Sequence, residues 1–485
     1  MIVAMATTLT TTPAATAPRL STRARLVLIL LCAAQFAISI DFSILNIALP
    51  SLGRDLGLAE ANLQWAVTAF ALPSGGFLLL AGRLGDLVGR RRMFLVGLSV
   101  FAVASLVATL AADPAMFLAA RAVQGLGAAV TVPTAMALLT TTFPEGPARN
   151  RALGVSGMVL SLGFTLGMVL GGTLTSAFGW RSTMALNVVM ALPVLVAAPL
   201  LLTESRRTDR PRLDVPGAIT VTGGLLALIY AVSTAAEHSW TRPDVLVTLV
   251  AAVLLFGAFV RVESRAAQPL VPLRILARRT VAWGNLGGLV TFAMATSLTF
   301  LLTLYLQQIR HLSPFSSGLV FGVTGVGAAT VGLLASRLIT RYGNRTVLIA
   351  GLTVQAVATA VQLAIGAGGG VWLVLVFCTL AFGGHMAAVV SYGVTATSGL
   401  SNREQGLATG LLTTAQQVGI TAGIPVLSAV YAAHAAGLRA VGASPTAAML
   451  GGIHRGIAVD AAVALAAAVL IGLFLRRRVV ADRES

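Results

Sequence analysis

The chain has 485 residues, of which 57% are apolar and only 10% charged, and its mean hydropathy is +0.90. A soluble domain carries roughly a quarter charged residues, so this composition calls for lipid as solvent. All 33 basic residues are arginine, and against 16 acids they give a formal net charge of +17. They sit in short clusters between apolar runs, which is the pattern of cytoplasmic membrane loops and not that of a nucleic-acid binder. The absence of lysine excludes a P-loop ATPase, a pyridoxal enzyme and a protein kinase, each of which depends on one. Neither G-x-S-x-G nor H-E-x-x-H occurs, and Cys32 and Cys378 lie far apart inside apolar spans. No enzyme activity, cofactor or metal site is expected.

Residues 1–24 are Thr/Ala/Pro-rich and read as a disordered cytoplasmic tail. The apolar run after them reaches Pro50, too long for a signal-peptide core. Stretches of about twenty apolar residues then predict helices at 26–49, 62–82, 93–111, 116–140, 152–176, 183–202, 215–235, 244–261, 281–307, 315–336, 346–366, 371–396, 406–432 and 455–475. The fold class is therefore an all-α polytopic membrane protein with fourteen transmembrane helices. With the N-terminus inside, the inner segments hold 26 arginines and the outer loops six, Arg54, Arg181, Arg242, Arg310, Arg439 and Arg455, while Arg121 is left within a span. That asymmetry predicts a multi-pass protein of the cytoplasmic membrane with both ends in the cytoplasm.

The loop from Gly82 to Arg91 reads GRLGDLVGRR, and 254 residues later Ser336 to Arg345 reads SRLITRYGNR, with Arg, Leu, Gly and Arg in register. At an offset of 252, Gly154, Gly167 and Gly171 fall on Gly406, Gly419 and Gly423. Two related six-helix halves are expected, 25–202 and 281–476, separated by 203–280 with two extra helices and followed by a cytoplasmic tail at 477–485. Repeats of this kind mark transporters, with the substrate site between the halves near mid-membrane.

Four groups of residues carry the mechanism. In the loop after the second helix, Gly82, Gly85 and Gly89 permit a tight turn, and Asp86 can cap a helix or pair with Arg90 or Arg91. Such a cluster can latch the halves on the cytoplasmic side, or serve topology alone. Arg121 in "RAVQGLGAAV" is costly near mid-span, about 2.5 to 3.5 kcal/mol on insertion scales, so it faces a cavity or a partner unless it lies near a helix end and snorkels. Gly163, Gly167 and Gly171 share one helical face, which admits a close helix approach as a gate or as plain packing. Asp41, His385 and Asp460 are the other ionisable groups in or near spans. Asp41 either carries a proton or stays paired with an arginine. His385 either titrates or makes a helix-to-helix hydrogen bond, and Asp460, near the start of the last span, reads as structural.

These residues resemble the major facilitator superfamily, in particular its fourteen-helix drug:proton antiporter branch, over nearly the whole chain from about residue 25. Asp41, Asn46 and Pro50 in "DFSILNIALP" look like that branch's first-helix motif. Gly82 to Arg92 is similar to the superfamily loop G-x-x-x-D-x-x-G-R-R/K, with Leu87 in place of the usual basic residue. Gly154, Gly163, Gly167, Gly171 and Gly172 reproduce the antiporter motif, with Met168 in place of its proline. "RAVQGLGAAV", with Arg121, Gln124, Gly125 and Gly127, resembles the motif whose arginine supports proton transfer. The resemblance implies proton-coupled export of small amphipathic or hydrophobic compounds by alternating access. A dedicated exporter of one metabolite is the nearest alternative, and a non-transporting receptor or structural subunit a more distant one. The expected partners are a small-molecule substrate, protons and the bilayer, with no nucleic acid. Asn46, Gln124, Gln416 and Gln417 are the candidate cavity residues.

Overall fold

The computed structural model describes residues 21–58, 62–143, 147–204, 214–237, 242–266, 273–398 and 402–475. The two expected tails fall almost wholly outside them. Among the described residues the chain is helical, with no strand. Its helices are α1 (Thr22–Leu56), α2 (Leu63–Gly76), α3 (Leu78–Val88), α4 (Arg90–Thr109), α5 (Pro114–Thr142), α6 (Pro147–Phe178), α7 (Arg181–Leu201), α8 (Val215–Glu237), α9 (Pro243–Glu263), α10 (Leu273–Leu276), α11 (Arg279–Leu304), α12 (Pro314–Tyr342), α13 (Asn344–Val361), α14 (Val371–Thr397), α15 (Asn402–Ala440) and α16 (Pro445–Phe474).

Among the described residues, twelve candidate spans are long and apolar enough to cross a membrane. The other two expected spans are present in a different form. The second is split into α2 and α3 at Phe77, just beyond Pro73 and the Gly75–Gly76 pair, where a missing amide and two flexible residues weaken the helical ladder. The seventh is α8, whose apolar stretch is Val215–Leu228. The count of fourteen is compatible with this arrangement.

Helix starts follow local chemistry. Asp113, Ser313 and Ser444 each accept a hydrogen bond from the backbone three residues on, and each is followed by proline at the first helical position. That pairing satisfies one free amide and removes another. It also corrects the last predicted span, since α16 begins at Pro445 and not near 455, which leaves Arg455 within the helix on an exposed side.

The first half is α1–α7 and the second α11–α16. In the first, α6 lies along α1 and α5 along α4; in the second, α15 lies along α11 and α14 along α13. The sequence repeat is therefore a repeat of packing. A Cβ at Gly171 would come 2.7 Å from Ile44 O on α1, and one at Gly423 would come 2.3 Å from Ala293 O on α11. The turn glycines correspond too: Gly89 has φ 119° and Gly343 φ 82°, a region that side chains with Cβ rarely enter.

The halves meet at the end away from the chain termini and in the middle. There Gly172 closes on Pro314 and Gly318 on Met168 O. Gln307 Nε2 donates to Ile47 O at 2.9 Å, the Phe315 amide to Ser176 Oγ at 3.0 Å, and Ser428 Oγ to Gln64 Oε1. At the termini end, Gly154 and Gly157 of α6 face open space. The extra helix α8 covers the seam between α2 and α15, with Thr222 Oγ1 donating to Gly76 O at 2.7 Å.

Candidate functional site: a buried ion pair in the first half

Asp41 and Arg121 are both fully buried and form an ion pair at 2.7 Å. Arg121 Nη1 donates to both carboxylate oxygens, at 3.0 and 2.7 Å, and to Gln124 Oε1 at 2.8 Å, while its Nε donates to Ala66 O at 3.1 Å. Asp41 Oδ1 also accepts from Gln124 Nε2 at 2.9 Å and from Asn187 Nδ2 at 2.5 Å. Gln124 donates in addition to Ser105 Oγ at 2.9 Å, and the guanidinium carbon stands 4.5 Å from the centre of the Phe70 ring. Five helices, α1, α2, α4, α5 and α7, thus converge on one charge pair. Arg121 Nη2 and Asn187 Oδ1 are left without hydrogen-bond partners.

Arg121 accordingly pairs within the helix bundle, and snorkelling to an interface is overturned by its complete burial. Gln124, expected along a cavity, belongs to the ion-pair network instead. Asn187 and Ser105 were not singled out from the sequence. Asn187 carries a signal nonetheless, as a lone amide in the apolar run of α7, which must find a partner within the protein.

Among the described residues, the second half shows no ion pair at the corresponding helix junction. There His385 of α14 is buried, with Nδ1 2.9 Å from Thr291 Oγ1 and 3.1 Å from Thr291 O. Thr291 Oγ1 donates to Gln355 Oε1 at 2.6 Å, and Gln355 Nε2 donates back to Thr291 O at 3.2 Å. Because the threonine proton is engaged, Nδ1 is the donor to Thr291, which assigns the tautomer of the neutral ring. The rings of Phe292 and Phe382 pack edge-on against His385 at 5.0 and 5.8 Å. His385 therefore joins α14 to α11 and, through Thr291, to α13, as the helix-to-helix alternative describes.

The glycine face of α6 divides in two. Gly163, Gly167 and Gly171 pack on α1, where Cβ atoms would meet Ser39, Ser43 and Ile40, and Ile44. Gly172 alone of the set crosses to the second half, where a Cβ would lie 2.4 Å from Pro314 O. Gly154 faces open space. Three of these glycines thus weld α6 to the helix that bears Asp41, while Gly172 and the side chains of Thr165 and Val169 on α6 meet α12 of the other half.

In the loop motif after the second span, Gly82 and Gly85 lie inside α3, and the turn is made at Gly89. The side chain of Asp86 lies outside the described residues. Glu204 accepts from the Arg91 amide at 3.2 Å and sits 3.7 Å from Arg92 Nε. Arg91 Nη2 donates to Pro199 O at 2.8 Å and Arg90 Nη1 to Ala137 O at 3.5 Å. These bonds tie Arg90 and Arg91 to α5 and α7 of their own half. Glu204 stands at the N-terminus of α4, where a negative charge is favoured by the helix dipole.

Of the remaining candidates, Asn46 is buried and donates to Phe42 O one turn back at 2.9 Å, with its Oδ1 unpartnered. Gln416 and Gln417 are half-buried on α15, and Gln417 Nε2 reaches Ser74 Oγ of the first half at 3.4 Å.

The family model of the Major Facilitator Superfamily matches residues 31–424. The cephamycin export protein of Amycolatopsis lactamdurans is 39% identical over 415 residues, covering 82% of this chain and 83% of the relative. The puromycin resistance protein of Streptomyces alboniger is 36% identical over 483 residues, covering 94% of this chain and 92% of the relative. Among solved structures, the POT family transporter PepTSo superposes with a TM-score of 0.69 at 14% identity, covering 95% of this chain and 98% of the other. A bacterial homologue of the human lysosomal transporter Spinster gives 0.66 at 16%, covering 94% and 98%. The two structures share the fold. With the helix order, the two packed halves and the buried pair already described, the family match identifies the chain as a member of the Major Facilitator Superfamily.

Proposed function

We propose that this chain exports small amphipathic or hydrophobic compounds, antibiotics among them, from the cytoplasm in exchange for protons. The observation that carries the reading is the Asp41–Arg121 pair, buried where an unneutralised charge is costly. Protonation of Asp41 abolishes the carboxylate that balances Arg121 and frees the five helices it gathers. A change of protonation is thereby coupled to a change of packing. The relatives named for cephamycin export and puromycin resistance support the direction and class of cargo. The arginine asymmetry supports cytoplasmic termini, so the contacts that join the halves close the outer face in the arrangement described.

The energetics suffice. One proton entering down 100 mV releases about 2.3 kcal/mol, and each tenfold accumulation of a neutral solute costs about 1.4 kcal/mol, so one proton sustains roughly a fortyfold gradient.

The test uses everted membrane vesicles carrying the chain, an imposed inward-acidic pH gradient and puromycin as probe. Uptake should follow the gradient and vanish with an uncoupler; uphill uptake that survives the uncoupler refutes proton exchange. Because the relatives are named for single compounds, a narrow cargo range is the second reading. Cells expressing the chain and challenged with a chemically diverse panel decide between them by the number of compounds tolerated.

A further inference from the structure

The second half holds an acid that the ion-pair mechanism does not use. Asp460 lies fifteen residues into α16, is fully buried, and has no hydrogen-bond partner at either carboxyl oxygen. Its place in the middle of a long helix, well away from Pro445, replaces the shallow position expected from the sequence.

Among the described residues, the helices around α16 supply no cation at that level. Arg345, at the start of α13, bonds the carbonyls of Gly472 and Leu475 near the other end of α16. Arg279 begins α11, whereas Leu301 of that helix is the neighbour of Gly456. On α15, His434, Leu438 and Tyr431 lie beside Gly451 and Gly452, about two turns or more outward, with Arg439 beyond them; Arg403 and Glu404 are at the opposite end of that helix. Tyr305, in the π-helical turn Tyr305–Ile309, donates to Gly366 O and Gly369 O. On α16 itself His454 lies 2.9 Å from Ile365 O, and Arg455 is exposed. A carboxylate here would be an isolated charge removed from water, a state that proteins avoid by neutralising the group.

What the level does supply is an unsatisfied polar seam. The contacts of Leu475 with Arg345 and of His454 with Ile365 fix the antiparallel register of α16 on α13. Interpolated between them, Thr359 stands opposite Asp460 and Gln362 opposite Ile457. Thr359 Oγ1 and Gln362 Oε1 are themselves buried without partners. Unpartnered polar atoms are rare in a protein interior, and here three residues follow one another from His454 inward. We propose that Asp460 is a second proton-binding site, occupied in the arrangement described, which exchanges its proton with the outer face along the α13–α16 seam past Gln362 and Thr359. The step is a plain protonation: a carboxylate oxygen gains an O–H bond and gives it up again, with no co-reactant beyond water. Its purpose rests on the proton-exchange reading above, although the binding itself does not. The two halves then hold acids in different settings, Asp41 paired with Arg121 and Asp460 neutral without a partner.

The test is infrared spectroscopy of the purified full chain in lipid nanodiscs at neutral pH. The parent should show the carbonyl stretch of a neutral carboxylic acid that Asp460→Asn lacks. Transfer to heavy water should shift that band, and the shift should be slower in Thr359→Val and Gln362→Leu. Both Asp460→Asn and Asp460→Leu should fold as well as the parent, since each replaces a neutral, unpartnered group. A parent with no such band, or a band that survives Asp460→Asn, overturns the site. Poor folding of both variants also overturns it, by showing a charge with a partner. Unchanged exchange in both seam variants overturns the path. If the band is present but the parent shows no proton-driven uptake of puromycin, the exchange reading falls and the site stands.

Discussion

Replacing Asp41 by asparagine tests both the packing and the mechanism of the first half. The carboxylate accepts from Arg121 at both oxygens and from Gln124 and Asn187 at one of them. An amide in its place keeps one oxygen but turns an NH2 toward a guanidinium or amide donor, and it leaves Arg121 without a counter-charge. Removing one partner of a buried pair costs about 3 to 5 kcal/mol. The lower end applies here, because Arg121 keeps Ala66 O, Gln124 Oε1 and the face of Phe70. We expect a loss of about 3 kcal/mol in equilibrium unfolding in mixed micelles, and recovery of most of it in Asp41→Asn/Arg121→Met, which removes the stranded cation. Reconstituted Asp41→Asn should still bind a compound that the parent exports but neither accumulate it against its gradient nor release protons on binding. A single mutant as stable as the parent, with no recovery in the double mutant, refutes the energetic argument. A stable mutant that still drives uphill uptake removes Asp41 from the coupling.

Gly167→Leu should insert and yet lose transport, because its Cβ would lie 1.9 Å from Ser43 Oγ and 3.0 Å from Ile40 O; the hydroxyl can turn aside but the carbonyl cannot. The strain is about 1 to 3 kcal/mol, while Gly154→Leu, which faces open space, should behave as the parent in the same vesicle assay. Glu204→Gln removes the charge at the start of α4 and should lower stability in equilibrium unfolding by about 0.3 to 1 kcal/mol; an unchanged or higher stability would contradict a favourable interaction with the α4 N-terminus.

The sequence by itself determined the solvent, the helices and the two-fold repeat. An apolar run of twenty residues has no other stable form in lipid than a helix, since its backbone groups must bond within the segment. The same logic made Arg121 and Asp41 conspicuous, because charge in a span requires a reason. Helix ends were legible where a cap and a proline coincide, and Ser444–Pro445 would have set the start of α16 correctly. Only tertiary structure decided which charge meets which. Arg121 reaches across eighty residues to Asp41, and Asn187 and Ser105 complete the site from two further helices. It also divided the glycines of α6, whose even spacing defines a face but cannot name the helix that lies against it. Asp460 makes the same point most sharply: a lone aspartate in an apolar helix reads alike whether it pairs or stands alone. The difference lies in the register of α11, α13 and α15 around it, a long-range property of the folded chain that no local pattern encodes.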